Sequence, residues 1–130
     1  MKVLGIGTDL VETSRIAKLI ETHGERFLHR CFTQAEIDYC RSHANSNQSF
    51  AARWAAKEAI AKAFGTGIGA ELALTELEIT KLPSGQPIVQ LHAGSQAFAL
   101  SLGVTEVKIS LTHTQDYAAA YAMVLIDEPT

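Results

Sequence analysis

The sequence is poor in cysteine and has no long apolar run. Two cysteines among 130 residues are too few for the disulfide framework of a small secreted domain, so we expect both thiols to be reduced. No stretch reaches the roughly 20 apolar residues that a membrane-spanning helix needs. The first residues are apolar too briefly for a secretory signal, because Asp9 and Glu12 interrupt them. We therefore expect a cytoplasmic protein with no membrane span.

The chain also lacks an excess of positive charge and any internal repeat. Its formal net charge is −3 at pH 7, which argues against a general affinity for nucleic acid, so any basic patch has to be local. No linker or low-complexity segment divides the sequence. Its 130 residues, 47% of them hydrophobic, suffice for one domain with its own core. We therefore predict a single domain over residues 1–130.

Helix signals cluster in the first half of the chain. After a strand at residues 3–9, a helix capped by Thr13 or Ser14 is predicted to end at Gly24. The segment Thr33-Gln-Ala-Glu36 has the pattern of a capping box and predicts the start of a second helix.

Strand signals dominate the second half of the chain. The predicted elements there are strands at 74–82 and 88–92, a helix at 94–103, and strands at 107–112 and 117–126. Because helices come early and strands late, the pattern favours an α+β fold, with helices packed on a small, mainly antiparallel sheet.

The longest predicted helix, residues 48–64, carries an unusual set of charges among its alanines. Arg53, Lys57, Glu58 and Lys62 lie close together in the segment RWAAKEAIAKAF. The ordinary interpretation is a solvated face whose Glu58–Lys62 pair contributes about 0.3–0.5 kcal/mol. The many alanines argue against it, because they allow close packing and suggest that the charges border a crowded surface.

The loop after this helix, Gly65-Thr-Gly-Ile-Gly69, has more glycine than a helix end requires, and we expect its amides to approach a ligand. Lys62 and such amides suit anionic oxygens, whereas Glu58 suits a hard cation that those oxygens share. Neither glycine pattern matches a nucleotide-binding fingerprint. The loop lacks the spacing GxxxxGK[ST], and Gly5-Ile-Gly7 lacks the third glycine of a dinucleotide site.

Three separated segments together resemble the bacterial holo-acyl-carrier-protein synthases, short members of the 4′-phosphopantetheinyl transferase family. They are the acid Asp9 after a glycine-containing strand, WAAKEAIAKAFGTG at 54–67 and SLTHT at 110–114. The resemblance spans nearly the whole chain in the same order. It implies the fold of that family and the transfer of 4′-phosphopantetheine from coenzyme A to a serine of apo acyl carrier protein. Adenosine 3′,5′-bisphosphate is released, and the reaction serves fatty acid biosynthesis.

The resemblance also implies the roles of individual residues. Asp9 and Glu58 hold Mg²⁺, and Lys62 neutralises charge on the diphosphate. Glu58, directly or through a water on the metal, accepts the serine proton. The residues placed against the phosphates are Gly65, Thr66 and Gly67. Those placed around the adenine and the 3′-phosphate are Arg53, Pro87, His113 and Thr114. Two roles stay open: His113 could instead cap a hairpin turn, and Lys57 either touches phosphate or pairs at the surface.

The implied partners are the acyl carrier protein and further copies of the chain. Members of the family are homotrimers whose coenzyme A site lies between protomers, which suits a chain too small to enclose that ligand alone. The carrier protein is acidic, so a basic docking face is expected. Residues 14–30 carry a small excess of positive charge, and the resemblance favours Arg15, with Lys18 beside it, for docking.

Two rival interpretations deserve a test. A structural zinc site could be drawn from His29, Cys31, Cys40 and His43, although His29-x-Cys31 is too tightly spaced and Cys40 is expected to face the core. Alternatively, the chain could bind coenzyme A or a carrier protein without catalysis. The presence of Asp9, Glu58 and Lys62 favours catalysis.

Overall fold

The computed structural model describes residues 1–127, which form five α-helices and five β-strands. In chain order these are β1 (Lys2–Glu12), α1 (Thr13–His23), α2 (Glu25–Cys31), α3 (Gln34–Arg41), α4 (Ser46–Phe64), β2 (Leu77–Lys81), β3 (Pro87–Leu91), α5 (Ala93–Ser101), β4 (Val104–His113) and β5 (Tyr117–Ile126). A 3₁₀ turn, Leu74–Glu76, precedes β2. Four of the helices precede four of the strands, and the predicted α+β class is confirmed.

The strands divide between two antiparallel sheets. Three strands form one sheet in the order β1-β5-β4, so the first strand of the chain pairs with the last. The hairpin of β2 and β3 forms the other. The two predicted hairpins, 74–82 with 88–92 and 107–112 with 117–126, are confirmed, although residues 74–76 form the 3₁₀ turn rather than strand.

The predicted ends of the early helices are partly right. Helix α1 ends at Gly24 as expected, with a φ of 54° at that glycine. The predicted side-chain cap at Thr13 or Ser14 is wrong, because the helix already begins at Thr13 and its amide donates to the Asp116 carbonyl at 2.8 Å. Helix α2 was not predicted.

The capping box at the start of α3 is confirmed. The Glu36 amide donates to Thr33 Oγ1 at 3.2 Å, and the Thr33 amide donates to Glu36 Oε1 at 2.9 Å. Phe32 and Ile37, which flank the box, are both buried in the core. The local sequence therefore sets where this helix begins.

Helix α4 is the centre of the fold and packs on β1 and β5. It is buried on most of its circumference, because small side chains allow neighbours to approach from several directions. The buried alanines are Ala51, Ala52, Ala55, Ala56, Ala59, Ala61 and Ala63. Despite this apolar character, neither α4 nor any other helix within residues 1–127 is long and apolar enough to cross a membrane.

The two glycines of β1 explain how closely that strand meets α4. A Cβ at Gly7 would lie 2.0 Å from the Ala59 carbonyl oxygen, and one at Gly5 would lie 2.1 Å from that of Ala63. Only glycine can stand at these positions without moving backbone atoms. The rejected dinucleotide pattern thus has a packing role, and it brings Asp9, two residues beyond Gly7, alongside the charged part of α4.

Candidate active site

Asp9 of β1 and Lys62 of α4 meet where the strand passes the helix. Lys62 Nζ donates hydrogen bonds to Asp9 Oδ1 at 3.1 Å and to the Thr8 carbonyl at 3.0 Å. The Asp9 side chain is 17% exposed and that of Lys62 is 54% exposed, so the pair lies at the surface with its acid partly shielded. The structure therefore unites two residues that the sequence analysis assigned to one site.

Glu58 lies one helical turn before Lys62 and is half-buried. Burial raises the pKa of Glu58, and the negative charge of Asp9 raises it further, whereas the charges of Lys62 and Arg15 lower it. The effect of Asp9 on Glu58 indicates that the two carboxylates lie near enough to repel each other. A small positive ion between them would relieve both the repulsion and the cost of burial.

A cavity of about 180 Å³ lies along α4 on the N-terminal side of these acids. It gathers three of the residues that the resemblance assigned to the adenine and the 3′-phosphate, namely Arg53, Pro87 and His113. The remaining lining residues are Ser49, Ala52, Lys81, Gly85 and Leu111. No lining residue is acidic, so the cavity suits an anionic group.

A second surface feature lies on the first two helices. The exposed Arg15 extends over Trp54, with its guanidinium carbon 5.9 Å from the ring centroid, and Lys18 is also exposed. Beyond them is a groove of about 380 Å³ with apolar and cationic walls. Its lining residues are Leu19, His23, Arg26, Phe27 and Arg30.

The sequence profile of the 4′-phosphopantetheinyl transferase superfamily matches residues 5–122, which is most of the chain. The chain belongs to this superfamily. The family predicted from its three motifs is thereby confirmed, and so is the enzyme class.

Relatives and solved structures agree with this assignment. A holo-[acyl-carrier-protein] synthase from Ruminiclostridium cellulolyticum is 46% identical over 124 residues, covering 95% of this chain and 92% of the relative. The crystal structure of the synthase from Neisseria meningitidis superposes with a TM-score of 0.90 at 29% identity, covering 95% and 99% of the two chains. The structure of the synthase from Helicobacter pylori in complex with coenzyme A superposes with a TM-score of 0.83 at 31% identity. The match covers 92% of this chain and 99% of that one.

In this transferase Lys57 does not reach the candidate site. The sequence analysis left it to phosphate contact or a surface pair, and both are wrong: its side chain is fully buried. Lys57 Nζ donates to Glu36 Oε1 at 2.8 Å and to the Leu74 carbonyl at 2.7 Å. Burial lowers the pKa of Lys57, and the Glu36 carboxylate opposes that shift. Lys57 therefore joins α4 to α3 inside the core.

The glycine loop after α4 has a different geometry from the one expected. Gly65 and Gly67 adopt positive φ values of 85° and 68°, which favour glycine. Their amides donate to the carbonyls of Lys62 at 3.0 Å and Ala61 at 3.2 Å, so these two donors end the helix and do not face outward. The expectation that both amides are open to a ligand is wrong for this structure. Thr66 remains exposed, and its hydroxyl donates to the Gly67 carbonyl at 3.1 Å.

Thr114 lies next to His113 but does not line the cavity. Its amide donates to the Tyr117 carbonyl at 2.8 Å, and its hydroxyl accepts from the Tyr117 amide at 3.1 Å. Thr114 therefore closes the turn between β4 and β5, and the turn role considered for His113 belongs to its neighbour. The side chain of Thr114 is exposed.

The rival zinc site is not supported by the described part of the chain. Cys31 and Cys40 are both buried, as expected for Cys40, and burial raises the pKa of each, that of Cys31 to about 11. His43 Nδ1 lies 2.8 Å from the Tyr39 carbonyl. Within residues 1–127 no three His, Cys, Asp or Glu side chains are grouped so as to hold a metal.

The sequence analysis missed two residues beside the cavity, Lys81 and Tyr39. Lys81 pairs with Pro87 in the β2–β3 hairpin, so the turn that placed Pro87 in the site could have indicated Lys81 as well. Tyr39 stands on α3 with its ring against Arg53, at 4.1 Å from the guanidinium carbon to the ring centroid. No local signal links Tyr39 to the long helix.

Proposed function

We propose that the chain transfers the 4′-phosphopantetheine group of coenzyme A to a serine of apo acyl carrier protein, in fatty acid biosynthesis in the cytoplasm. One observation carries the proposal for this site: Asp9, Glu58 and Lys62 come together toward the C-terminal end of α4, while an acid-free cavity lined by Arg53 lies on a different face of the same helix, nearer its N-terminus. Family membership supplies the reaction, and the coenzyme A complex of the Helicobacter pylori relative supports the substrate.

The reaction is a displacement at phosphorus. The serine oxygen attacks the phosphorus attached to the pantetheine arm, forming one P–O bond, while the bond to the bridging oxygen of the diphosphate breaks. Adenosine 3′,5′-bisphosphate leaves with that oxygen and its electron pair. Lys62 faces the surface beside Asp9 and neutralises the charge that grows on the leaving phosphate. The half-buried carboxylate of Glu58, one helical turn before Lys62, is the group of this site that is proposed to take up the serine proton.

Asp9 and Glu58 fit a divalent cation such as Mg²⁺. Two carboxylates that repel each other are hard oxygen ligands, and a Mg²⁺ site normally takes its remaining ligands from phosphate and water. The lack of a third acidic, histidine or cysteine ligand within residues 1–127 agrees with that preference. When bound there, Mg²⁺ supplies positive charge that the diphosphate oxygens share.

The acid-free cavity along α4 is the proposed site for the adenosine end of coenzyme A. Arg53, Pro87 and His113 line it, and the exposed Thr114 directly follows His113 in the chain. Because members of the family bind coenzyme A between protomers, the diphosphate is proposed to reach the segment Gly65 to Gly67 at the end of α4, which is exposed or half-exposed and open to solvent. Because the amides of Gly65 and Gly67 are engaged in this structure, the exposed Thr66 hydroxyl is the proposed phosphate donor of the loop, and it would exchange its bond to the Gly67 carbonyl for one to phosphate.

We assign carrier-protein docking to the exposed side of α1 and α2. Arg15 and Lys18 are exposed there, and Arg15 lies over the Trp54 ring, near enough for its charge to lower the pKa of Glu58, so a carrier docked on this face would lie near the proposed catalytic residues. Arg15→Glu is expected to raise the KM for carrier protein roughly tenfold, with no change in coenzyme A binding, because an acidic partner then meets like charge. Lys2→Glu, the same change at an exposed lysine outside this face, is the control. If Arg15→Glu weakened the binding of carrier protein and of coenzyme A equally, the docking assignment would be contradicted.

We also propose that the chain assembles as a homotrimer. The outer face of the three-stranded sheet exposes Ile6, Leu10 and Tyr121 at 67%, 68% and 63%. The register places Ile6 opposite Met123 and Thr8 opposite Tyr121, so these side chains form one continuous apolar surface. A surface of this kind favours protein association. Light scattering is expected to give the parent protein a molar mass three times that of one chain. The variant Tyr121→Glu is expected to have the mass of a single chain. A monomeric parent protein would contradict the trimer.

The decisive experiment for the reaction mixes the protein with coenzyme A, Mg²⁺ and apo acyl carrier protein, and follows the mass of the carrier protein. The expected result is a carrier heavier by one phosphopantetheine, with no product when a chelator removes the metal. Asp9→Asn in the same mixture is the matched control and is expected to give no adduct. Binding of coenzyme A without any adduct would favour the rival interpretation, a binding module without catalysis.

A further inference from the structure

The acid-free cavity beside α4 holds a second permanent positive charge that no sequence motif indicated. Lys81, the last residue of β2, lines the cavity together with Arg53, His113 and Ser49. The side chain of Arg53 enters from α4, and that of Lys81 from the hairpin whose turn also carries Pro87. Two cations from different elements therefore face one small space with no carboxylate in its lining.

The Arg53 side chain is buried, and one of its hydrogen-bond donors has no partner among the described residues. The residue is 2% exposed, and its Nε has no hydrogen-bond partner among the described residues. One of its terminal nitrogens donates to Ser49 Oγ at 3.4 Å, which is a long bond. A buried guanidinium with an idle donor is costly, so its retention in a cavity indicates a ligand that pairs with it.

Tyr39 holds both cations. Its ring centroid lies 4.1 Å from the guanidinium carbon of Arg53 and 5.5 Å from Lys81 Nζ. Both distances are within the range of a cation–π interaction, which is attractive while leaving N–H donors free. The ring therefore fixes the two charges near each other without consuming their hydrogen bonds, as a receptor for a doubly charged anion requires.

We propose that Lys81 is a specificity-determining residue that binds the 3′-phosphate of coenzyme A together with Arg53, and that Tyr39 is the positioning residue for both. The inference rests on the proposed function and extends it, because it names the residue that separates coenzyme A from its form without the 3′-phosphate. A phosphomonoester carries close to two negative charges at neutral pH, which matches two permanent cations better than one.

The test measures binding of adenosine 3′,5′-bisphosphate and adenosine 5′-monophosphate by calorimetry, which needs no catalysis. The parent protein is expected to prefer the bisphosphate. Lys81→Met is expected to weaken bisphosphate binding roughly tenfold to a hundredfold, as lost charge-assisted hydrogen bonds do, and to leave monophosphate binding unchanged. The control, Lys2→Met, removes an exposed lysine outside the cavity and is expected to change neither. Equal weakening of both ligands by Lys81→Met would overturn the assignment.

Tyr39 is tested with two substitutions that separate its ring from its hydroxyl. Tyr39→Phe keeps the ring and is expected to preserve the preference for the bisphosphate, whereas Tyr39→Leu is expected to reduce it. The same order is expected in the ratio of KM for 3′-dephospho-coenzyme A to KM for coenzyme A. An unchanged ratio in Tyr39→Leu would contradict the positioning role.

The outcomes distinguish this inference from the proposed reaction. If the carrier protein gains phosphopantetheine but the parent protein binds both adenosine phosphates equally, the reaction stands and the 3′-phosphate assignment fails. If the bisphosphate is preferred through Lys81 while the carrier gains nothing, the site assignment stands and the transfer reaction fails.

Discussion

The two faces of α4 use the same residue type for opposite purposes. Lys57 is fully buried and bonds to Glu36 at 2.8 Å, whereas Lys62, five residues later, is 54% exposed and bonds to Asp9 at 3.1 Å. The first pair is shielded from solvent, so its charges depend on each other. In the second pair the lysine is exposed to solvent, so it can leave Asp9 and bind a ligand at little cost in free energy.

The difference shows that a motif does not by itself assign a role. Lys57 and Lys62 occur together in the segment that resembles the family, and both were candidates for phosphate contact. Only the packing separates them: Glu36 of α3 closes over one, and β1 leaves the other at the surface. We therefore expect changes on the buried face to alter stability and changes on the exposed face to alter turnover.

The largest expected effect is on the acids of the exposed face. Asp9→Asn and Glu58→Gln are each expected to lower kcat/KM by about a thousandfold or more, because each removes a carboxylate that a catalytic cation needs. Thermal unfolding should show that both variants fold. If the Asp9→Asn variant kept normal rates in Mg²⁺, the proposed catalytic site would be wrong. The contrast between a structural and a catalytic face of α4 would then be wrong too.

On the buried face, Lys57→Met is expected to destabilise the protein by about 3–5 kcal/mol, because it leaves the Glu36 carboxylate buried without its cation. Urea unfolding followed by circular dichroism measures the change. Where the variant is folded, its KM for coenzyme A should be close to that of the parent. The double variant Lys57→Met with Glu36→Gln is the matched control, and it should recover part of the loss, since no buried charge remains and an amide oxygen can still accept from the Thr33 or the Ile79 amide. If Lys57→Met were as stable as the parent but had a raised KM for coenzyme A, Lys57 would instead have a role in binding that substrate.

Lys62→Ala sharpens the comparison from the other side. Its kcat is expected to fall by about a hundredfold to a thousandfold, as for other groups that stabilise charge in a transition state. Its free energy of unfolding should change by less than about 1 kcal/mol, because an exposed ion pair contributes little. Measuring kcat and the free energy of unfolding on the same preparation shows whether Lys62 contributes to turnover or to stability. A loss of stability as large as that of Lys57→Met would erase the distinction.

The parts of the fold predicted from sequence are those whose cause is local. The capping box from Thr33 to Glu36 and the end of α1 at Gly24 depend on neighbouring residues and were confirmed. The second task of Glu36 was not predictable in this way. Its carboxylate also accepts from Lys57 Nζ and from the Ile79 amide, which are 21 and 43 residues away.

The candidate site was assembled through the resemblance, because its residues come from distant segments. Asp9 and Lys62 are 53 residues apart, and they meet only because Gly5 and Gly7 let β1 approach the carbonyls of α4. Periodicity does not reveal such a contact. The same reason explains why Lys81 went unnoticed, since a single cation before a turn carries no signal until the hairpin is folded against α4.

The smallest effect that we predict is a shift in the titration of Glu58 in metal-free protein, read from the NMR signal of its carboxyl carbon. Its pKa should lie above the ordinary 4.5, fall in Asp9→Asn, and rise in Arg15→Met, because these changes remove a negative and a positive neighbour respectively. Glu25, whose pKa is lowered by the hydrogen bond from Arg41, provides an internal contrast.

The sign of this shift also fixes a stability effect. A carboxyl whose pKa is raised on folding favours the folded state in its protonated form, and that contribution is lost as the pH rises through the raised value. Metal-free Glu58→Gln should therefore melt higher than the parent at pH 7, and the difference should vanish below pH 4.5. Saturating Mg²⁺ should reverse the order at pH 7, since only the parent then gains the binding free energy of the ion. If Glu58→Gln melted lower than the metal-free parent at neutral pH, Glu58 would be a structural acid, and α4 would have two stabilising faces rather than one.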